Sequence, residues 1–325
     1  IVSVEFALTQ MWLARGIAPS VVLGHSLGEY AAAMAAGVLS VSDGIKLVCT
    51  RGRLMQECED CAGTMVAVRS SATTIREGIA AAAVGATVGL GAVNGDDSVV
   101  LSGDKDSINS LLAQMPTVAS RALPVTRAFH SPLMQSVVED FRSTLKLVKF
   151  CPAGSTYEYG KLFHAQVSLV STVLGRRTSW EDFCSEEYWL AHMMRTVLFA
   201  DSVRASNVDC AGRIYLEIGP DATLTTLSTR ILRSNKLASG CSFIATCKMT
   251  TEEVADFAAS ATGVRVNASA NSDGVVSESA LAAVAKPLKR YPVMMFPAHK
   301  LLQCLHVEEY SELSVFTCVI HPRLL

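Results

Sequence analysis

The spacing of apolar and polar positions changes several times along the chain, and each change marks an element. A helix-like pattern opens the sequence, and Val21, Val22 and Leu23 then form a short apolar run of the kind a buried strand presents. Glu29 to Ala36 is rich in helix formers and stops at Gly37, a good residue for a helix end. A second helix begins near Ser42-Asp43 and brings Ile45, Val48, Cys49, Gly52 and Met55 to one face, with Arg51 at its edge. From Gly63 to Pro124 the elements become short. "TMVAV" reads as a strand, "SATTIREGIAAAA" as a helix, "TVGLGAVN" and "SVVLSG" as strands, "DKDSINSLLAQM" as a helix and "ASRALPV" as a strand.

That order, β-α-β-β-α-β, is the split unit of ferredoxin-like domains, set here as an insertion. Its exit, "TRAFHSPLMQSVVEDFRSTL", carries a Ser131-Pro132 helix start and an apolar face of Met134, Val138, Phe141 and Leu145, so His130 stands just before a helix. Residues 151–166 read as an irregular loop, "VSLVSTVLG" as a strand, "EEYWLAHMMRTVLFADSV" as a helical region and "RIYLEIGP" as a strand ending in a turn. Beyond Arg233 the pattern decays, and Asn267 to Val284 has the Ala/Ser/Val-rich composition of a linker.

Ser26 lies between the Val21–Leu23 run and the helix-like run from Glu29 to Ala36, in a Gly24-His25-Ser26-Leu27-Gly28 frame. A strand-to-helix turn of this kind strains the serine backbone and needs small flanking residues. It lifts the hydroxyl to a helix N-terminus, where partial positive charge favours a developing anion. Ser26 is therefore a candidate nucleophile. Taken alone, His130 reads as a loop histidine and Arg51 as a surface arginine with a buried stem.

Composition narrows the field. The 325 residues suit about two domains, and 50% hydrophobic content supplies a core. A net charge of −2 without a basic stripe argues against a nucleic-acid surface. The longest uncharged run, Gly78 to Gly95, is broken by glycines and falls short of a membrane span. Without a signal-like segment or a spacing framework among the ten cysteines, the chain reads as cytoplasmic with free thiols, and Cys58-Glu59-Asp60-Cys61 as an isolated pair with no metal role.

The segments "GHSLGEYAAAMAAGVLS", "TRGRLMQ", "VNGDDSVVLSG", "TRAFHSPLM", "EEYWLAH" and "YLEIGP" occur in the order found in acyltransferase domains of modular polyketide and fatty-acid synthases. These domains are similar to stand-alone malonyl-CoA:acyl-carrier-protein transacylases, and the resemblance covers roughly residues 1–232. It implies an α/β fold: an α/β-hydrolase-like large subdomain from 1–62 and 125–232 and a ferredoxin-like small subdomain over 63–124; residues 233–325, beyond the resemblance, read as a linker or poorly ordered tail. It further implies a catalytic Ser26–His130 pair, with the histidine oriented by a backbone carbonyl expected in the turn after Gly219-Pro220. Arg51 would hold a malonyl carboxylate, and Leu27, Phe129 and Asn94 would also contact substrate, while His25 supports the turn.

The implied reaction moves a malonyl group from CoA, through an acyl-serine, to the phosphopantetheine thiol of an acyl carrier protein. No permanently bound cofactor or metal is expected. The expected partners are that carrier and neighbouring ketosynthase-type domains, with neither nucleic acid nor membrane. Arg127, Asp96, Thr196 and Asp221 depart from the family's usual residues. The family's opening strand, with its "GQGSQ"-like loop and second oxyanion donor, matches nothing here, so the strand at Val21–Leu23 is expected to have an open edge. "YPVMMFP" faintly resembles a segment that follows such domains. Two other readings remain at this point: a serine esterase or lipase, and an inactive truncated piece.

Overall fold

A computed structural model describes residues 1–152, 167–207, 214–249, 253 and 293–296. The chain opens with α1 (Val2–Ala14), β1 (Val21–Gly24), α2 (Gly28–Ala36) and α3 (Val41–Glu57). Gly37 ends α2 with a left-handed φ of 87°, and Ser40 caps α3 by accepting from the Asp43 N–H, two residues earlier than the sequence pattern placed that cap.

The small sheet follows as β2 (Thr64–Val68), α4 (Ala72–Ala81), β3 (Val88–Gly95), β4 (Ser98–Gly103), α5 (Lys105–Ala113) and β5 (Ser120–Ala122). Its strand order is β3-β4-β2-β5, antiparallel throughout. Ile75 and Ile108 from the helices and Val99 and Leu101 from β4 bury completely in a separate core. Next come α6 (Val138–Leu145), preceded by a tight 3₁₀ turn from Pro132, then β6 (Ser168–Ser171), β7 (Arg176–Thr178), α7 (Trp180–Phe183) and α8 (Glu186–Met194). The chain continues with α9 (Phe199–Ser206), β8 (Ile214–Glu217), α10 (Thr223–Ser234), β9 (Ser242–Ala245) and β10 (Val293–Phe296).

These last strands build the large sheet around β1, in the order β7-β6-β1-β10-β8-β9. All neighbours are parallel except β6 and β7. All four residues of β1 are buried, as a central parallel strand requires. Two findings correct the sequence reading. β1 has no open edge, since β10 pairs along its length with Val21 beside Val293 and Gly24 beside Phe296. The stretch 233–325 is not merely a tail, because it gives the large sheet both β9 and β10, and Met295 is fully buried. The "YPVMMFP" segment therefore contributes a strand inside the sheet, joined to β1 and β8 by main-chain bonds. The expected linker at 267–284 and the irregular loop at 153–166 lie outside the described residues.

The two sheets meet at β3. Val93 N–H donates to Val197 O (2.8 Å) and Val197 N–H to Gly91 O (3.0 Å), tying β3 to the link between α8 and α9. Asp96 pairs with Arg204, and Asp97 accepts from Arg230, so the departure at Asp96 serves an exposed contact between the subdomains. Asp221, another departure, accepts from the Thr223 N–H at the start of α10 (2.7 Å).

Candidate active site

Close approach of backbone explains the glycine at the end of β1. A Cβ on Gly24 would overlap the Gly28–Glu29 backbone, so only glycine lets α2 leave the strand this sharply. The turn holds Ser26 at φ 50°, in the left-handed region, and Glu29 N–H returns to Ser26 O at 2.9 Å. His130 also has positive φ, 58°. Two strained residues facing each other across a cleft are held by structure on both sides.

Ser26 Oγ lies 2.5 Å from His130 Nε2, and the two side chains belong to residues only 9% and 4% exposed. His130 Nδ1 donates to the Arg195 carbonyl (3.0 Å), which leaves the Nε2 lone pair for the serine hydroxyl. The orienting carbonyl is thus the one that ends α8, not one in the turn after Gly219-Pro220. Burial holds the His130 pKa well below 6.5, and the nearby charge of Arg51 and the neighbouring His192 and His25 add to this. The imidazole is neutral at physiological pH, as a base must be.

Arg51 occupies the middle of the buried face of α3, in line with Gly44, Leu47 and Met55, and is 3% exposed. The sequence pattern put it at the edge of a face that included Cys49, which is exposed. Its Nε has no hydrogen-bond partner and no carboxylate pairs with it among the described residues, while its guanidinium sits 6.0 Å from the centre of the Tyr30 ring. Burial pulls its pKa down from the usual 12.5. Arg51, Leu27, Met55 and Phe129 line one pocket, with Arg127 at its wall. Arg127 donates to the carbonyls of Met55 (2.8 Å) and Gln56 (2.5 Å), fastening the end of α3 to the segment that leads to His130.

Of the six residues singled out from sequence, Arg51, Leu27 and Phe129 line the pocket, and Ser26 and His130, the chain neighbours of Leu27 and Phe129, pair with each other. Asn94 does not line the pocket; its Oδ1 meets His25 Nε2 at 2.9 Å, so it supports the residue before Ser26. Two residues were missed as site components. Glu29 is fully buried and accepts from Thr172 N–H (2.9 Å), Thr172 Oγ1 (3.0 Å) and Tyr188 Oη (2.6 Å). His192 Nε2 donates to Ser26 O (3.0 Å) and lies 3.2 Å from Glu29 Oε2. Burial raises the Glu29 pKa to about 7 and lowers that of His192 to about 3. The signal was a histidine and a glutamate inside otherwise apolar helices, in "WLAHMM" and "LGEYAAA". Among the described residues no cluster of metal-ligating side chains occurs, and no helix is long and apolar enough to cross a membrane.

This geometry agrees with comparison to known proteins. The family model for the acyl transferase domain matches residues 1–270. The polyketide synthase GfsB of Streptomyces halstedii is 36% identical over 227 residues, covering 69% of this chain and 4% of that protein. The mycoketide-CoA synthase of Mycobacterium tuberculosis is 35% identical over 224 residues, covering 68% of this chain and 5% of that one. The chain therefore spans a small part of these relatives. The crystal structure of the acyl transferase domain of SpnD in complex with 2-(pent-4-yn-1-yl)malonyl superposes with a TM-score of 0.64 at 26% identity, covering 78% of this chain and 58% of that one. On its sequence, its fold and its buried serine–histidine pair, the chain belongs to the acyl transferase domain family.

Proposed function

We propose that this domain moves a malonyl or similar acyl group from CoA to the phosphopantetheine thiol of an acyl carrier protein, through an acyl ester on Ser26. The observation that carries this reading is the buried Arg51 guanidinium, without a carboxylate partner among the described residues, in the pocket beside the Ser26–His130 pair. A charge buried without an anion is costly, and a substrate that brings a carboxylate removes that cost.

The chemistry follows from the atoms present. Ser26 Oγ attacks the thioester carbonyl carbon while its proton passes to His130 Nε2. The negative oxygen that forms meets the Leu27 N–H at the start of α2. The carbon–sulfur bond then breaks, and His130 returns the proton to the CoA sulfur. In the second half His130 takes the proton of the carrier thiol, the thiol attacks the Ser26 ester, and the serine leaves with that proton.

An esterase would direct the same acyl group to water. The carbonyl on His130 Nδ1, in place of the acid of an esterase triad, and the family match both favour transfer. The large sheet corresponds in this reading to an α/β-hydrolase-like subdomain and residues 63–124 to a ferredoxin-like insertion. Neighbouring synthase domains supply the carrier, in the cytoplasm, and no resident cofactor takes part. Phe129 and Leu27 crowd the acyl α-carbon, so malonyl is preferred over methylmalonyl by ~1–3 kcal/mol, the usual value of one methyl group in a packed pocket. The test is incubation with malonyl-CoA and a carrier protein bearing phosphopantetheine. Malonyl-carrier formed faster than free malonate supports the proposal; free malonate alone overturns it in favour of hydrolysis.

A further inference from the structure

A peptide unit is planar, and in its trans form the carbonyl of one residue and the N–H of the next point in opposite directions. The Ser26–Leu27 unit is of this kind, with no cis bond in the described chain. Its carbonyl is gripped twice, by the Glu29 N–H at 2.9 Å and by His192 Nε2 at 3.0 Å. Its N–H, on Leu27, therefore points away from His192, and no described group accepts from it.

His192 itself has little freedom. Tyr30, Trp189 and His130 meet its ring at steep angles, at 5.2, 5.5 and 6.0 Å between centres, and Glu29 Oε2 lies 3.2 Å from the same Nε2. Because Nε2 faces a carbonyl it carries the proton, which makes Nδ1 the lone-pair nitrogen, and Nδ1 is buried with no partner among the described residues. Burial keeps the ring uncharged, so it works as a fixed donor and not as an acid or base.

From this arrangement we infer that His192, set in place by Glu29, is a positioning residue that aims the Leu27 N–H at the oxygen of the reacting carbonyl by holding the other end of the same peptide plane. Without that grip only the Glu29 N–H fixes the plane of a strained residue, and the donor swings off line. Donor aim matters because an oxyanion interaction stabilises the transition state more than the bound substrate. The signature is thus a loss in the chemical step with binding spared.

The inference rests on Ser26 being the acylated nucleophile, and the experiment separates the two claims. Single-turnover acylation of the full chain by malonyl-CoA would be followed by quenched mass spectrometry, giving a maximal rate and a half-saturating concentration. For His192→Ala the maximal rate is expected to fall about tenfold to a hundredfold, less than for outright loss of a donor, with half-saturation unchanged. His192→Gln, whose amide offers an N–H near the place of Nε2, is expected to recover most of the rate. His192→Leu keeps the bulk without the donor and should match His192→Ala, which carries the test if the alanine variant does not fold. A rate equal to wild type in His192→Leu, or a His192→Gln variant as slow as His192→Leu, overturns the inference. A wild-type chain with no acyl group on Ser26 overturns both this inference and the proposed function.

Discussion

The four-stranded sheet draws its strands from one continuous stretch between Thr64 and Ala122, whereas the six-stranded sheet sets Val21 of β1 directly beside Val293 of β10. The first is built from pairings that are close in sequence and closes its own core around Ile75, Val99, Leu101 and Ile108. The second must bring remote segments together, and the entropy of closing such loops is recovered only when the pairing is complete. The chemistry sits where the two meet: Ser26 on the large sheet's elbow and His130 on the chain as it leaves the small one. A fold with this division places the Ser26–His130 pair under the control of both parts, and the two should fail differently when disturbed.

The largest difference is expected from a charge placed in β10. Met295 is fully buried between β1 and β8, and its sulfur receives the Ser228 hydroxyl at 3.2 Å. Met295→Asp would bury an unpaired carboxylate and cost on the order of 4–5 kcal/mol or more. Hydrogen exchange should then show β1 and β8 losing protection while β2, β3 and β4 retain theirs. Equal protection of β1 in both proteins would break the comparison, because it would mean that β10 is not needed there.

Next in size is the pair that joins the sheets. His130→Ala should slow Ser26 acylation roughly a thousandfold or more without altering the exchange pattern of either sheet. Arg51→Ala should follow with a loss of malonyl transfer of about ten- to a hundredfold, because the substrate carboxylate loses a charged partner worth ~1.5–3 kcal/mol. Acetyl transfer should be unchanged or faster. Parallel loss of both activities would identify Arg51 as a structural element of α3.

The smallest effect concerns Glu5 on α1, fully buried with both carboxyl oxygens unpartnered among the described residues. Burial raises its folded pKa well above 4.5. A carboxyl whose folded pKa is raised binds its proton more tightly in the folded state, so its contribution to stability is present below pH 4.5 and is lost as pH rises through the raised value. Glu5→Gln should therefore match wild type near pH 4 and exceed it by about 1–3 kcal/mol at neutral pH, read from denaturant curves at several pH values. A gap independent of pH would show that Glu5 is already solvated. The histidines act in the opposite direction. Folded pKa values of His25, His130 and His192 lie below 6.5, so their share of stability is present above 6.5 and is lost as pH falls.

What the sequence revealed follows the same division. The small sheet and the serine elbow were legible because each depends on short-range pattern: alternating runs in one case, and a strand, glycine, serine, glycine and helix in the other. β10 was not, because a four-residue apolar run has no mark that names its distant neighbours. The carbonyl of Arg195 that orients His130 was hidden for a different reason, since every residue has a carbonyl and only the fold selects one. Arg51 was half legible. Its spacing from Leu47 and Met55, four residues each way, places it on the buried line, but a charged residue on an apolar face is ordinarily assigned to its edge. His192 and Glu29 stand within recognised segments without a sequence mark of their role, because only the fold brings His192 Nε2 to both the Ser26 carbonyl and Glu29 Oε2.

The central claim is that Ser26 carries the acyl group and that His130 activates it. Its most direct measurement is peptide mapping by mass spectrometry after brief exposure of the full chain to malonyl-CoA, alongside His130→Ala. The account predicts a malonyl adduct on the peptide that contains Ser26 in the wild-type chain and almost none in the variant. An adduct on another residue, or full labelling of Ser26 in His130→Ala, would contradict it.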